Sequence, residues 1–329
     1  MIIMESKEPI RLIKFLEKDL PHYFPNKGEF LHIIQTIADA TIPIRGLLEK
    51  GITSREIQYR MKISAPQEDS RNIYDEEQIH EDILTHSIIL KTLRESGIDF
   101  AFIASEEAEP YVGNGYFGIT TDPVDGSSNV AVNRTVGTIV GIYNKEGNII
   151  CGMYVLYGIF TNLIIAVNGK VMEFVLDKTP YSMDFYHFIF HDYFKLPDPE
   201  KGGIYCLGGN PTRWSDRCRK YEEKLRSCLF KNRYSGSFVS DVHSILYYGG
   251  VYGYFPSPKP KIRLYYEWLP LAFIVKTLGG EFLIIDDKDD IKTMENIDPL
   301  TRDNVLKIHS AVCGGLVGSK KAVDFFSNI

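Results

Sequence analysis

A chain of 329 residues is longer than one small core requires, and its length favours two domains sharing an interface. Hydrophobic residues make up 44 %, charged residues 24 % and aromatics 12 %, a globular balance that excludes disorder, collagen and coiled coil. With 37 basic against 43 acidic side chains the net charge is −6, which gives no general attraction to nucleic acid or an anionic membrane; any polyanion must be met by a local basic site.

The opening stretch, MIIMESKEPIRLIKFLEKDL, carries charges every few residues and does not read as a secretory signal. Cys151, Cys206, Cys218, Cys228 and Cys313 are scattered and odd in number, which argues against a disulfide framework and predicts a reducing, cytoplasmic setting. Phe30, Leu31, Ile33, Ile34, Ile37 and Ala38 recur at helical spacing, with a kink or break expected at Pro43 and a stop at Gly51. Residues 56–74 read as a loop, and a second helix is expected over about 76–96.

From residue 99 the texture changes to strands: DFAFIAS, GYFGITT, VGTIVGIYN, ICGMYVLYGIF and NLIIAV, implying one large sheet. No charge occurs between Glu146 and Lys170, but the break at Thr161-Asn162 predicts two buried strands joined by a turn rather than a membrane span. After a loop-rich stretch near 180–203, strands and helices alternate again, which places a domain boundary near residue 200. Near the end, Cys313 to Lys320 mimics a nucleotide loop but lacks the Gly-Lys-Ser/Thr ending, and a strand-to-helix turn is expected.

Chemistry concentrates between Ser105 and Asn129. Ser105-Glu106-Glu107 closes one strand and Asp122-Pro123-Val124-Asp125-Gly126-Ser127-Ser128-Asn129 closes the next. Singly, each is an ordinary turn or a solvated pair. On neighbouring strands they would crowd four carboxylates at one sheet edge, where repulsion raises their pKa values or demands a cation. Oxygen-only donors suit magnesium, and the amides and hydroxyls of Gly126, Ser127 and Ser128 suit a phosphate beside it. Two metals there would polarise a phosphorus and ionise a water. In the other half lie Arg233-Tyr234-Ser235-Gly236-Ser237, Tyr254, Lys261-Ile262-Arg263 and Glu267. Lys261 and Arg263 alternate on a strand-like run and are expected to share a face toward a substrate phosphate, with Glu267 as a fifth metal-facing carboxylate. The eight histidines show no metal spacing; His80 and His86 do not share a helix face.

These motifs, with Val136-Gly137-Thr138-Ile139, Asp241-Val242-His243 and Gly279-Gly280, resemble the fructose-1,6-bisphosphatase family (class I), including its sedoheptulose-1,7-bisphosphatase branch, over roughly residues 28–325. The resemblance implies a layered α/β/α/β/α sandwich with two mixed sheets. Residues 1–200 would carry the acidic cluster and 201–329 the sugar-phosphate contacts. It implies Mg²⁺, two or three ions per site with Mn²⁺ as a substitute, bound by Glu106, Asp122, Asp125, Glu267 and the Val124 carbonyl. Glu107 would help at a further metal or at the attacking water, and Glu76 would act from a mobile loop. Asp82, otherwise an unremarkable helix carboxylate, falls where the family helps take the water's proton. Gly126 and Ser127 would cradle the 1-phosphate, while Tyr234, Tyr254 and Lys261 would hold the far phosphate and sugar. Arg233 would reach a neighbouring subunit's site, implying a homo-oligomer, dimer or tetramer.

The implied reaction is removal of the 1-phosphate of a ketose bisphosphate by direct attack of water, with fructose 1,6-bisphosphate as the substrate and sedoheptulose 1,7-bisphosphate as the alternative. Rival readings are an inositol-type monophosphatase, against which Lys261 and Arg263 speak, and a silent sugar-phosphate binder, against which the retained carboxylates speak. The chain departs from the pattern in three places. The family's Asn-Glu-Gly segment is here Leu207-Gly208-Gly209-Asn210, where Asn210 is the candidate substitute. The animal AMP site is matched only by Lys27-Gly28-Glu29-Phe30-Leu31, Tyr116-Phe117 and Asn144, so weak or absent AMP inhibition is expected. The plastid cysteine-bearing insertion is not evident, so thioredoxin control is not expected.

Overall fold

The computed structural model describes residues 10–62, 80–177, 186–256 and 260–329. Its helices are α1 (Leu12–Asp19), α2 (Lys27–Lys62), α3 (His80–Glu95), α4 (Asp216–Ser227), α5 (Phe238–Tyr248), α6 (Leu269–Thr277) and α7 (Lys320–Ser327). The first sheet is built from β1 (Phe100–Ser105), β2 (Ala108–Val112), β3 (Phe117–Asp125), β4 (Val136–Tyr143), β5 (Ile149–Tyr157), β6 (Thr161–Val167), β7 (Lys170–Asp177) and β8 (His187–Tyr193), in the order β2-β1-β3-β4-β5-β6-β7-β8. The second contains β9 (Ile204–Gly208), β10 (Lys231–Asn232), β11 (Gly250–Tyr254), β12 (Glu281–Ile285), β13 (Ile291–Thr293) and β14 (Gly314–Gly318), in the order β10-β9-β11-β14-β12-β13. Both are mixed: β1 and β3 run parallel in an otherwise antiparallel sheet, and β10, β9 and β11 run parallel beside antiparallel β14, β12 and β13.

Strand alternation assigns side chains to three cores. Ile103, Ile119, Val140, Met153 and Ile165 pack against α1, α2 and α3 through Leu16, Ile33, Ile37 and Leu93. Phe102, Ala104, Ile139, Tyr154 and Ile164 face the opposite way, onto α5, α6 and one face of the second sheet. The far face of that sheet, with Tyr205, Leu207, Val251 and Leu316, is covered by α4 and α7. The result is the α/β/α/β/α sandwich, with α5 and α6 as the middle layer.

Five local expectations change. α2 neither breaks at Pro43 nor stops at Gly51, and residues 56–62 are helical rather than loop. An interior proline costs about 3 kcal/mol. Phe30, Ile33, Ile34, Ile37 and Ile44 on the same helix are all buried against the sheet, each contributing about 1.5–3 kcal/mol, so packing outweighs propensity. The stretch near 180–203 contains β8, whose period-2 signal is weak because it is the sheet's outermost strand and exposed over much of its length. The run Leu264–Trp268 is a π-helical turn, not the continuation of a strand. The charge-free stretch does form β5 and β6 joined by a turn, and among the described residues no helix is long and apolar enough to cross a membrane.

Two glycines seat the middle layer. Gly141 and Gly152 are partners across β4 and β5, and a Cβ on Gly152 would lie 2.3 Å from the Pro270 carbonyl oxygen. Their bareness lets α6 approach the sheet through its backbone, which in turn places the π-helical turn just before it. Gly152→Ala is therefore expected to destabilise the fold by about 2 kcal/mol or more in urea unfolding, because backbone rather than a flexible side chain must move.

Candidate functional site

Because β1 and β3 are parallel neighbours, their carboxyl ends lie side by side: Ser105 pairs with Thr121, and the Glu106 N–H donates to the Thr121 carbonyl at 3.1 Å. Glu106, Glu107, Asp122 and Asp125 thus leave the sheet at one end. In an unbroken strand, residues three apart point to opposite faces. Here Asp122 pairs with Ile139 but Asp125 pairs with Gly137, so β3 carries one extra residue between them. This bulge, at a proline that has no N–H for the ladder, resets the parity and turns both carboxylates to one side. Thr138 donates its hydroxyl to the Pro123 carbonyl at 2.8 Å and holds the bulge.

The π-helical turn brings in the third acid. Oxygens of Asp122, Asp125 and Glu267 lie within 4.8 Å of one another, and all three residues are buried. Each has a local support: Asp122 accepts the Val124 N–H at 3.0 Å; Asp125 accepts the Ser237 hydroxyl at 2.7 Å and the Val239 N–H at 2.8 Å; Glu267 accepts the Arg263 N–H at 2.6 Å. Burial, and then the surrounding carboxylates, push Asp122 and Glu267 well above the usual carboxylate range. Asp125 is raised by burial and partly restrained by its hydrogen bonds from Ser237 and the backbone. An all-oxygen, buried, mutually repelling set is the donor chemistry of a hard divalent cation, and these residues fit magnesium.

Arg263 is extended and bridges antiparallel to Val312, as the strand reading expects, but its side chain turns to an acid. It is buried, with Nε 3.4 Å from Glu106 Oε1, whereas Lys261 is exposed. The π-helical turn begins only after Arg263, at Leu264, and Arg263 differs from Lys261 in being buried beside Glu106. Asp82 is buried on α3. One helical turn along the same face, His86 Nδ1 lies 2.8 Å from the Ser105 hydroxyl, so α3 packs where β1 ends and Asp82 is on the side facing the acidic cluster. Histidine spacing alone had set His86 aside. Glu76 lies outside the described residues.

Gly126 has φ +77°, and a Cβ there would lie 2.5 Å from Ser237 Cβ. It opens a 3₁₀ turn, Ser127–Val132, whose first backbone bond runs from the Asn129 N–H to the Gly126 carbonyl at 2.7 Å, leaving the Ser127 and Ser128 amides ahead of it. Asn129 donates to the Ser235 carbonyl at 3.2 Å, clasping this turn to residues 235–237 of the other sheet's loop.

At the far end, Tyr234 and Tyr254 flank Gly208. Asn210 caps a short 3₁₀ turn: its side-chain carbonyl accepts the Thr212 N–H at 3.1 Å and hydroxyl at 2.8 Å. Its oxygen is thereby committed to the loop. Arg233 is exposed, its guanidinium 5.6 Å from the Tyr248 ring centre. Asp241, quoted in a motif but given no role above, is buried and accepts the Ser235 N–H at 3.0 and 3.2 Å. Burial pushes it up to about 7. It fixes the turn that sets Ser237 on Asp125, a link between distant residues that no local spacing displays.

The chain is similar to known proteins over most of its length. Family models match residues 62–182, described as the fructose-1-6-bisphosphatase N-terminal domain, and residues 198–308, described as its C-terminal domain. A fructose-1,6-bisphosphatase class 1 of Natronomonas pharaonis is 32 % identical over 260 residues, covering 75 % of this chain and 85 % of the relative. One from Methanocorpusculum labreanum is 35 % identical over 224 residues, covering 64 % and 67 %. The crystal structure of Leishmania major fructose-1,6-bisphosphatase in holo form superposes with a TM-score of 0.79 at 23 % identity, over 97 % of this chain and 99 % of that one, a likeness of fold.

The raised carboxylates carry a stability signature. An acid whose folded pKa lies above its unfolded value contributes stability that is fully present below the unfolded value and lost as pH rises through the folded one. Burial lowers His86, His243 and His309, whose effect falls at and below the ordinary histidine value of 6.5. In a chelator, the thermal midpoint is therefore expected to fall as pH rises from about 7 to 8.5. Asp122→Asn, which keeps the acceptor for Val124 and removes one repelling charge, should be more stable than the parent at the upper pH by about 1–2 kcal/mol in calorimetry.

Proposed function

Since the chain belongs to the fructose-1,6-bisphosphatase family, a family of phosphatase-type hydrolases, we propose that it removes the 1-phosphate of a ketose bisphosphate in a magnesium-dependent reaction, with fructose 1,6-bisphosphate as substrate and fructose 6-phosphate as product. The observation that carries this reading is the buried Asp122, Asp125 and Glu267 set at the same strand end as the Gly126–Ser128 turn.

Asp122, Asp125, Glu267, Glu106 and the Val124 carbonyl would hold Mg²⁺, with Glu107 at the margin; the ion supplies Lewis-acid polarisation and charge neutralisation. The amides of Ser127 and Ser128 bind the 1-phosphate oxygens, and the Ser127 and Ser128 hydroxyls add donors. Arg263, held against Glu106, offsets one negative charge without leaving the carboxylate cluster. Asp82 and Glu107 accept the proton of the attacking water, and the burial of Asp82 keeps bulk solvent from that proton. Tyr234 and Tyr254 hold the far phosphate, with Lys261 as the cation at that end. Asn210, having its oxygen engaged, contributes its amide N–H alone. Exposed Arg233 reaches the site of a neighbouring copy in a dimer or tetramer.

Phosphate release from fructose 1,6-bisphosphate and sedoheptulose 1,7-bisphosphate, with Mg²⁺ and with EDTA, tests the reading. Turnover is expected with Mg²⁺, is abolished by EDTA, and falls by at least about 1000-fold in Asp125→Ala. The ratio of kcat/KM values decides which sugar is preferred. Release untouched by EDTA, or no release from either bisphosphate, would overturn it. A second expectation concerns binding alone: because the carboxylates must lose protons to take a cation, Mg²⁺ should raise the thermal midpoint more at pH 8 than at pH 6.

A further inference from the structure

The helix α3 reaches the end of β1 through a polar pair. His86 Nδ1 lies 2.8 Å from the Ser105 hydroxyl oxygen, and the same oxygen receives the Glu107 N–H over a long 3.5 Å. Ser105 is buried, pairs with Thr121 in the parallel register and is the last residue of β1 before the two glutamates. Burial, and then Arg94, lower His86 below the ordinary histidine value, so at neutral pH the ring is an uncharged imidazole. The serine proton can then go to Nδ1 while its oxygen keeps the Glu107 N–H, and the three groups form one chain from α3 to the backbone of Glu107.

Apolar packing anchors the other end of this helix. Ile89 and Leu93, beyond His86, are buried in the first core. Between Asp82 and Ser87 the fully buried side chains are Asp82 and Thr85, both polar, and the Thr85 hydroxyl turns back on the Asp82 carbonyl at 3.1 Å. Apolar contact is non-directional and tolerates a small rocking of the helix, whereas a 2.8 Å hydrogen bond fixes both distance and angle. Asp82 and His86 are four residues apart and share a helix face, so a bond at His86 sets where Asp82 stands. The neighbouring Thr121 hydroxyl is also buried but has no hydrogen-bond partner among the described residues, so it adds no second tie.

We infer that His86 is a positioning residue, whose bond to Ser105 sets the height of Asp82 over the strand end and, through the Glu107 N–H, ties that height to the Glu106-Glu107 turn. The step it serves, acceptance of the water's proton by Asp82 and Glu107, rests on the bisphosphatase reading. The tie between α3 and the turn is independent of the hydrolysis.

The test compares the full-length parent with His86→Ala, His86→Asn, Ser105→Ala and the double alanine variant, reading kcat and KM on fructose 1,6-bisphosphate with Mg²⁺, the thermal midpoint, and backbone hydrogen exchange. His86→Ala is expected to lower kcat about tenfold while KM and the Mg²⁺ requirement stay within about twofold. His86→Asn, whose side-chain amide can stand in the place of Nδ1, should recover most of that loss. The two alanine losses should not multiply in the double variant, because each removes the same bond. A residue that only stabilised the helix would lower the thermal midpoint and leave kcat of the folded enzyme at the parent value; that result, or losses that multiply, would overturn the inference. If His86→Ala does not fold, Ser105→Ala decides by the same kcat criterion. Exchange of the Glu107 amide and of α3 around Asp82 should be faster in the alanine variants than in the parent. If the parent released no phosphate, the reaction assignment would fall, while faster exchange at those amides would still support the tie and unchanged exchange would end it.

Discussion

Mutual repulsion among buried carboxylates is the constraint around which this molecule is organised. Asp122, Asp125 and Glu267 are buried and stand within 4.8 Å of one another, and such an arrangement is held only if other parts of the chain oppose it. The opposing contacts come from well-separated places. Ser237 and Val239 at the amino end of α5 support Asp125, and Arg263 supports Glu267 through its backbone and offsets Glu106 through its guanidinium. Since α5 and α6 form the layer between the two sheets, the same contacts that restrain the charges also join the layers.

What places the acids is a set of irregularities rather than regular structure. A one-residue bulge puts Asp122 and Asp125 on one side, a π-helical turn delivers Glu267, and the bare pair Gly141 and Gly152 lets α6 sit low enough for that turn to reach the strand ends. Bulges and π-turns lose regular hydrogen bonds and persist where packing over-determines them. Here the surrounding cores supply that packing, with Trp268, Tyr266 and Tyr143 all fully buried nearby.

How much of this could be read from the chain depends on the range of the interaction. The carboxylates of Glu106, Glu107, Asp122 and Asp125 were legible because both motifs end runs of strand-forming residues, and a parallel pair puts such ends together. Asp82 was legible only through family resemblance, since nothing local distinguishes it from any helix carboxylate. The strand-like backbone at Arg263 was legible, and it bridges to Val312 through the Leu264 N–H on Ala311 and the Cys313 N–H on Ile262; the π-helical turn that follows at Leu264 and the pairing of Arg263 with Glu106 depend on partners far along the chain and were not. The passage of α2 through Pro43 and the role of Asp241 likewise depend on tertiary partners.

The two tryptophans stand at opposite ends of the aromatic and glycine-rich region between the acids and the distal tyrosines. Trp268 adjoins Glu267 and its indole N–H donates to the Cys313 carbonyl at 3.2 Å; Trp214 packs edge-on against Phe255, with its Nε1 3.3 Å from the position a Cβ on Gly209 would occupy. The chain thus holds two built-in fluorophores, one beside the charge centre and the other beside the loop that follows Gly208. Their emission could be separated by replacing either one, giving an optical readout of events near the acids and near that loop without any added label.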